Sequence, residues 1–239
     1  MTATLRWNST VSMPSLAAMT LDDLYEAVTH RYVDAAGSRP AVLVIRAADG
    51  EAVLKDYNRC DRLFALLIGP LLVWRETAAL ERLRGTRGVP RLLRRIDARA
   101  FLMEHLVGAE KARKQPATVR PEFFERLRGL VDEIHAKGVA HCDMRRSGNI
   151  LIDASGQPYL VDFVSCALRR PWFHPLGWMF PLLCQADRDA IVKLKHRVAP
   201  ALLTDDERNR LRHRPLGLAA RWFGATVRDI FRFLLVRKR

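Results

Sequence analysis

The sequence is poor in cysteine and in acidic residues, and it has no long hydrophobic run. Its four cysteines include no C-x-x-C pair and no zinc-ligand spacing, which argues against a cysteine zinc site. We therefore expect reduced thiols in a cytoplasmic protein. No apolar run reaches the roughly 18 residues that a membrane-spanning helix needs. The first residues also lack the uninterrupted apolar core of a signal peptide.

Acidic residues are fewer than basic residues. The chain has 26 Asp and Glu against 40 Lys and Arg, a formal net charge of +14. This balance favours an anionic partner, whether a nucleotide, a nucleic acid or a membrane surface. Internal repeats and low-complexity segments are also missing. The 239 residues are enough to bury a substantial core, either as one larger domain or as two small lobes.

What the sequence does contain is a segment of polar residues placed around a predicted β-hairpin. Two apolar runs, 150–152 and 159–161, flank the turn sequence Asp-Ala-Ser-Gly, which is typical of a hairpin. Folding the hairpin brings its ends together, and those ends carry Asn149 and Asp162. An amide oxygen and a carboxylate at one place suit a hard cation such as Mg²⁺. Asp143 lies just upstream, on a loop where it can meet a substrate hydroxyl.

This order of residues resembles the catalytic core of the protein kinase superfamily. His141 and Asp143, then Asn149, then Asp162-Phe163 follow the kinase pattern H-x-D…N and D-F-G. An ordinary hairpin with polar ends is the alternative interpretation. The chain departs from the pattern twice. Asp143 and Asn149 are six residues apart instead of the usual five. Val164 replaces the glycine of D-F-G, so we do not expect a mobile activation loop.

A lysine and a glutamate upstream continue the resemblance. Residues 41–45 and 52–57 flank Asp-Gly and predict a hairpin, with Lys55 on its second strand. The sequence around Lys55 resembles the kinase strand motif V-A-I-K, whose lysine holds the ATP phosphates. A lysine on a strand can equally be solvated.

The helix predicted after Gly69-Pro70 supplies the glutamate. Glu76 interrupts an apolar stripe at helical spacing formed by Leu72, Leu80 and Leu83. A carboxylate on a buried helix face needs a partner, so we predict an ion pair with Lys55. The alternative places Glu76 at the edge of the stripe. Glu81 lies on another face beside basic residues, and we expect it to be solvated.

The remaining pattern predicts the other elements. Helices are expected from Leu21 to about His30, after Pro121 up to Gly138, over 187–196 and from a capping box at Thr204. Strands are expected over 89–93 and 100–103, and a surface loop over 111–120. The segment 104–108 is similar to the kinase hinge, whose backbone binds adenine. The resemblance therefore assigns Glu104 and Leu106 to cofactor binding.

The resemblance implies an α+β fold with two lobes. Residues 1–104 would form a small β-rich N-lobe with one αC-like helix, and residues 105–239 a mainly helical C-lobe. No A-P-E motif follows Asp162, so no extended activation segment is expected. The cofactors would be ATP and Mg²⁺. Lys55 would hold the phosphates and Glu76 would orient Lys55. Asn149 and Asp162 would bind the metal, Asp143 would act on the acceptor hydroxyl, and Arg145 would support the transferred phosphate.

Compact chains of this kind resemble the RIO-type kinases and the bacterial kinases of lipopolysaccharide inner-core sugars. We expect an ATP-dependent kinase acting on a glycolipid sugar at the cytoplasmic face of the inner membrane. A RIO-like protein Ser/Thr kinase and a nucleotide-binding pseudokinase are the alternatives, and nucleic acid is not an expected partner.

A C-terminal apolar face with basic flanks predicts contact with an anionic membrane. The same face could instead pack on the C-lobe. Its residues are Leu218, Trp222, Phe223, Ile230, Phe231, Leu234 and Leu235.

Overall fold

The computed structural model describes residues 14–115, 119–144, 148–171 and 177–212. These residues form two compact units. The first unit takes in the described residues up to Thr77 together with Arg91–His105, and the second takes in Ala78–Pro90 and the described residues from Leu106 onward. The division into kinase lobes at residues 104 and 105 stays a prediction. Arg145 and the C-terminal apolar face lie outside the described residues.

The first unit is built on a five-stranded antiparallel sheet. Its strands are β1 (Val28–Val33), β2 (Ala41–Ala47), β3 (Gly50–Asp56), β4 (Leu92–Arg95) and β5 (Ala100–Glu104), in the order β1-β2-β3-β5-β4. Helix α1 (Leu21–Glu26) packs on this sheet. The core includes Leu24, Leu43, Ile45, Leu54 and Leu102, all fully buried. The predicted hairpin that carries Lys55 is confirmed as β2 and β3.

The beginning of the first unit differs from the expectation. Helix α1 starts at the predicted cap, where Asp23 N donates to Thr20 Oγ1, but it ends at Glu26 rather than near His30. The residues that follow form β1, which pairs with β2 along the edge of the sheet. Most of β1 is exposed, so it lacks the apolar alternation that identifies a strand in a sequence. Pairing with a buried neighbour decides its conformation.

Two consecutive helices follow the sheet hairpin, α2 (Arg62–Leu67) and α3 (Gly69–Arg82). The predicted break occurs, but it lies at Ile68, so that α3 begins at Gly69 and includes Pro70 in its first turn. Pro70 has no N–H to donate to the carbonyl four residues back, which interrupts the helical ladder. Three members of the predicted stripe, Glu76, Leu80 and Leu83, are at most 1% exposed, and the fourth, Leu72, is half-buried.

The second unit combines three helices with short strands. The helices are α4 (Pro121–Ala136), α5 (Phe180–Val198) and α6 (Asp205–Arg212). The strands are β6 (Glu110–Lys111), β7 (Val139–Ala140), β8 (Ile150–Ile152), β9 (Pro158–Leu160) and β10 (Ala167–Leu168). Strands β6, β8 and β9 form one sheet, and β7 pairs with β10. The helix predicted after Pro121 is confirmed, and so is the hairpin, as β8 and β9.

Two expectations for the second unit need correction. Helix α5 begins at Phe180, seven residues before the expected start. Pro181 suggested a break there, but the first turn of a helix tolerates proline because its N–H has no partner in the helix. The stretch 111–120 was expected to be a loop, yet Lys111 belongs to β6 and residues 112–114 form a 3₁₀ turn.

The start of α6 matches its sequence signal. Glu207 N donates to Thr204 Oγ1 at 3.2 Å, and Thr204 N donates to Glu207 Oε2 at 3.1 Å. This is the predicted capping box, in which two backbone donors at the helix start are satisfied reciprocally.

The cysteines and the helices were compared with what disulfides and membrane spans require. All four cysteines are free thiols, with Cys60, Cys166 and Cys184 buried and Cys142 half-buried. Of the helices in the described ranges, none has the length and hydrophobicity to cross a bilayer.

Candidate active site

Lys55 and Glu76 form a buried ion pair in the first unit. Lys55 Nζ lies 2.7 Å from Glu76 Oε2 and 3.0 Å from Glu76 Oε1. The two residues are 5% and 1% exposed, whereas Glu81 on the same helix is exposed. The predicted ion pair is therefore confirmed, and its orientation is the one that the apolar stripe indicated. The pair holds the Lys55 ammonium in one position beside β3, because a buried lysine and its carboxylate fix each other's geometry.

We predict that Glu76→Gln lowers the free energy of unfolding by about 3 kcal/mol, since it removes the charge of a buried carboxylate that holds the Lys55 ammonium. Urea denaturation measures the change. Glu81→Gln is the matched control on the same helix. Its exposed pair with Arg84 contributes at most about 1 kcal/mol. Equal unfolding midpoints for the two variants would contradict the assignment of Glu76.

The β8–β9 hairpin is held at its turn and from behind. Asp153 Oδ1 accepts hydrogen bonds from Ser155 and from Gln157 N, and Asp153 Oδ2 accepts one from Tyr159 Oη. Burial alone would raise the pKa of Asp153, but these bonds outweigh it and lower that pKa. Behind the hairpin, Leu160 N donates to Gly88 O at 2.8 Å. A Cβ at Gly88 would lie 2.7 Å from the Pro158 carbonyl oxygen, so the approach requires glycine.

The open end of the hairpin brings the predicted polar residues together. Val161 N donates to Asn149 O at 3.0 Å, so the residues at the two strand ends are neighbours. Asp162 follows directly with a φ of 66°, a left-handed conformation that is uncommon outside glycine. This backbone turn ends strand pairing and starts a 3₁₀ turn at Phe163. The convergence of Asn149 and Asp162 that the sequence predicted is confirmed by this pairing.

Asn149 also contacts the loop that carries Asp143. Its Nδ2 donates to Asp143 O at 3.1 Å and lies 3.4 Å from Asp143 Oδ2. Asn149 is 8% exposed and Asp143 is half-buried. Because the amide nitrogen points to Asp143, the amide oxygen is the atom left for a cation.

The donors at this end of the hairpin suit Mg²⁺. They are an amide oxygen and carboxylate oxygens, which are hard ligands. Within the described ranges, no group of three or more His, Cys, Asp or Glu side chains could hold a metal ion. Mg²⁺ uses one or two protein carboxylates together with water and substrate phosphates. Asn149 and Asp162 therefore fit the metal that the sequence pattern indicated.

His141 connects the Asp143 loop to the hairpin. Asp143 N donates to His141 Nδ1 at 3.3 Å, which makes that nitrogen an acceptor and places the proton on Nε2. His141 Nε2 then donates to Val161 O at 3.0 Å, one residue before Asp162. The ring also packs against Phe163 with 4.7 Å between ring centroids. The sequence interpretation of His141 as a packing residue rather than a metal ligand agrees with these contacts.

Asp187 on α5 anchors the same loop, and the sequence interpretation did not include it. Its carboxylate accepts hydrogen bonds from His141 N at 2.7 Å, Cys142 N at 2.9 Å and His135 Nε2 at 3.1 Å. Asp187 is 2% exposed, and Cys142 adopts a φ of 64° that turns both backbone donors toward it. A signal was present, because Asp187 interrupts the buried face of α5 between Cys184 and Ile191.

Three further residues were predicted to belong to the site: Arg145, Glu104 and Leu106. Arg145 lies outside the described residues. Glu104 ends β5, and its carboxylate accepts a hydrogen bond from Arg91 N at 3.1 Å. The carbonyl of Leu106 accepts one from Ala109 N at 3.2 Å in a turn. The assignment of Glu104 and Leu106 to cofactor binding stays a prediction.

The fold is kinase-like, as a comparison with solved structures shows. The Rio2 kinase–ADP/Mg²⁺–phosphoaspartate complex from Chaetomium thermophilum superposes with a TM-score of 0.55 and 18% identity, covering 78% of this chain and 64% of that one. A second Rio2 kinase structure from the same organism gives a TM-score of 0.51 and 20% identity, covering 72% and 58%. At these identities the likeness establishes the fold alone.

Sequence comparison indicates a narrower similarity. No protein-family model matches the chain. Over 153 residues it is 31% identical to the 3-deoxy-D-manno-octulosonic acid kinase of Xylella fastidiosa, and the same-named kinases of two further strains match equally. The match covers 56% of this chain. The chain spans 61% of the length of these curated relatives. The similarity therefore lies with kinases of a bacterial sugar acid.

Proposed function

We propose that this protein is a Mg²⁺-dependent kinase that transfers the γ-phosphate of ATP to a hydroxyl of a glycolipid sugar. The observation that carries the proposal is the assembly of Asp143, Asn149 and Asp162 at the open end of one hairpin. The buried Lys55–Glu76 pair supports it independently. Four of these groups are the ones that phosphoryl transfer requires of a protein: an acceptor-orienting carboxylate, two metal ligands and a phosphate-binding lysine.

Each side chain has a role in this proposal. Asp143 orients the acceptor hydroxyl and accepts its proton late in the transfer. Lys55 holds ATP phosphates, and Glu76 fixes the lysine. Asn149 and Asp162 hold Mg²⁺, which supplies charge neutralisation for the β- and γ-phosphates. The backbone of Glu104 and Leu106 receives adenine, and Arg145 supports the transferred phosphate. His141 and Asp187 position the Asp143 loop through hydrogen bonds.

The acceptor follows from the curated relatives. Their shared name specifies 3-deoxy-D-manno-octulosonic acid, an acidic sugar. We propose this sugar, carried on a lipopolysaccharide precursor, as the acceptor. An anionic substrate agrees with the chain's formal charge of +14. The proposed location is the cytoplasm, with peripheral contact at the inner face of the inner membrane. The basic apolar segment beyond Leu216 is one proposed source of that contact.

A labelling experiment tests this function. The purified protein is incubated with γ-labelled ATP and Mg²⁺, separately with lipopolysaccharide precursor, with the same precursor lacking 3-deoxy-D-manno-octulosonic acid, and with total cell protein. We expect label only in the intact precursor. Asp143→Asn should abolish labelling, and Asp132→Asn, which changes a surface carboxylate paired with Arg188, should not.

The alternatives predict other results. Label in cell protein alone would support a RIO-like protein kinase. Nucleotide binding without label in any fraction would support a pseudokinase. Label in both precursors would contradict the choice of acceptor sugar while leaving the kinase assignment in place.

A further inference from the structure

The proposed activity leaves one exposed apolar surface unexplained. Five large hydrophobic side chains on α2 and the first half of α3 form it, and we call it the α2–α3 patch: Leu63, Leu66, Leu67, Leu71 and Trp74. Their exposed fractions are 63%, 60%, 61%, 47% and 46%. The other large hydrophobic side chains exposed in the described ranges are dispersed along the chain: Tyr32, Leu93, Val107, Trp178 and Leu182. Clustered exposure of this kind marks an interaction site, whereas isolated exposed leucines are ordinary.

The patch has helical spacing. Its members follow one another by three, one, four and three residues. Ile68 N donates to Phe64 O at 2.9 Å and Leu72 N donates to Ile68 O at 3.1 Å, so helical bonding continues across the break between α2 and α3. Residues at this spacing lie along one side of a helix. The helices bury a different set of side chains, among them Phe64 and Val73. The patch is therefore a second apolar surface in addition to the core face.

Positive charge borders the patch. Residues 63–74 contain no charged side chain, and an arginine stands at each end, Arg62 and Arg75. A third arginine lies beside the junction of the two helices, since a Cβ at Gly69 would be 3.4 Å from Arg99 Cγ. The nearest acids along the chain are Asp61, which is exposed, and Glu76, which is buried and paired with Lys55. An apolar surface bordered by arginines is complementary to a partner with an apolar interior and an anionic surface.

We propose that the α2–α3 patch is a membrane-contact surface, and that its partner is an anionic phospholipid bilayer. The leucines and Trp74 enter the boundary between headgroups and acyl chains, and Arg62 and Arg99 contact lipid phosphates. Helices that lie in the membrane interface combine these features, with leucine and tryptophan on one side and basic residues beside them. The proposal is independent of the phosphotransferase assignment and of the C-terminal segment.

A bilayer fits the patch better than a protein partner does. Protein interfaces include hydrogen bonds at about one per 100–200 Å². The patch offers only alkyl side chains and one indole N–H over twelve residues. Arginines outnumber the exposed acid Asp61 along its border, and an anionic lipid surface is complementary to that excess of positive charge.

Co-sedimentation of the full-length protein with vesicles tests the proposal. We expect binding to vesicles of equal parts phosphatidylglycerol and phosphatidylcholine, and no binding to vesicles of phosphatidylcholine alone. Molar salt should weaken the binding, because the Debye length falls to about 3 Å at 1 M.

The double variant Leu63→Gln/Leu67→Gln should bind about tenfold less. Leu93→Gln/Leu182→Gln, which changes two exposed leucines elsewhere, is the matched control and should bind like the wild type. Arg62→Gln should weaken binding and Arg87→Gln should not.

Tryptophan fluorescence separates the patch from the C-terminal segment. Brominated acyl chains should quench the wild-type emission, and Trp74→Phe should abolish most of that quenching while retaining vesicle binding. Trp222→Phe should leave the quenching in place. Circular dichroism and urea midpoints verify that each variant is folded. If the double variant Leu63→Gln/Leu67→Gln does not fold, the single variants Trp74→Phe and Leu67→Gln provide the test.

Three outcomes would overturn the proposal. One is the absence of binding to anionic vesicles, and another is wild-type binding by the folded Leu63→Gln/Leu67→Gln variant. The third is a dimer that Leu63→Gln/Leu67→Gln dissociates in sedimentation equilibrium, since the patch would then be covered by a second copy of the chain. None of these measurements uses ATP, so their failure is distinct from failure of the kinase assignment.

Discussion

Asp143→Asn is expected to lower kcat by about a thousandfold and to leave the affinity for Mg·ATP within about twofold of wild type. An amide of the same shape keeps the contact with Asn149 Nδ2 through its oxygen, so the loop retains its structure. It cannot accept a proton from the acceptor hydroxyl. Turnover of labelled ATP into the acceptor measures kcat, and titration calorimetry with a non-hydrolysable ATP analogue measures affinity.

Asp162→Ala provides the contrast, because a lost metal ligand should weaken Mg·ATP binding itself. Asp132→Asn, a surface change in the same unit, should leave both quantities unchanged. If Asp143→Asn retained wild-type turnover, Asp143 would not be the acceptor-orienting carboxylate. If Asp162→Ala bound Mg·ATP normally, the metal assignment at the hairpin would be wrong.

Asp187→Asn should lower the free energy of unfolding by about 2–4 kcal/mol. The carboxylate accepts bonds from two backbone N–H groups and from His135. An asparagine has one acceptor oxygen and turns an NH₂ group toward at least one of these donors. A buried donor without a partner costs its full desolvation free energy. Urea denaturation followed by circular dichroism measures the loss.

Asp206→Asn is the control for this prediction. Asp206 is exposed in the first turn of α6, and its substitution should change stability by less than about 0.5 kcal/mol. Asp187→Asn should also lower kcat at temperatures where it is fully folded, because the donors that it loses belong to the loop of Asp143. Normal kcat in the folded variant would show that Asp187 stabilises the unit without positioning the loop.

Local patterns predicted the parts of the site that depend on short-range order. The apolar runs on either side of the Asp153 turn defined the hairpin, and the hairpin geometry brought Asn149 beside Asp162. Glu76 was predictable because a carboxylate on a buried helix stripe requires a cation, and Lys55 was the candidate on a neighbouring strand. The capping box of Thr204 and Glu207 is a further case in which side chains within one helical turn decide the structure.

Two of the misses have long-range causes, and the third is local. The same stripe argument applies to Asp187, but two of its three partners are backbone N–H groups, which no sequence pattern identifies. Strand β1 is specified by pairing with β2 rather than by its own mostly exposed residues. The start of α5 was placed too late because Pro181 was interpreted as a break, although its position in the first turn makes it compatible with the helix.

The buried thiols have a practical consequence for spectroscopy. Burial raises the pKa of Cys60 and of Cys184 to about 11, and burial together with the Asp187 charge raises the pKa of Cys142. Cys166 is 2% exposed. Maleimides and methanethiosulfonates react with thiolates, so at neutral pH these four side chains should react slowly. A single cysteine introduced at Leu67 could carry a spin label or a fluorophore in the otherwise native sequence. The depth of that label in a bilayer would then be measurable without first replacing any native cysteine.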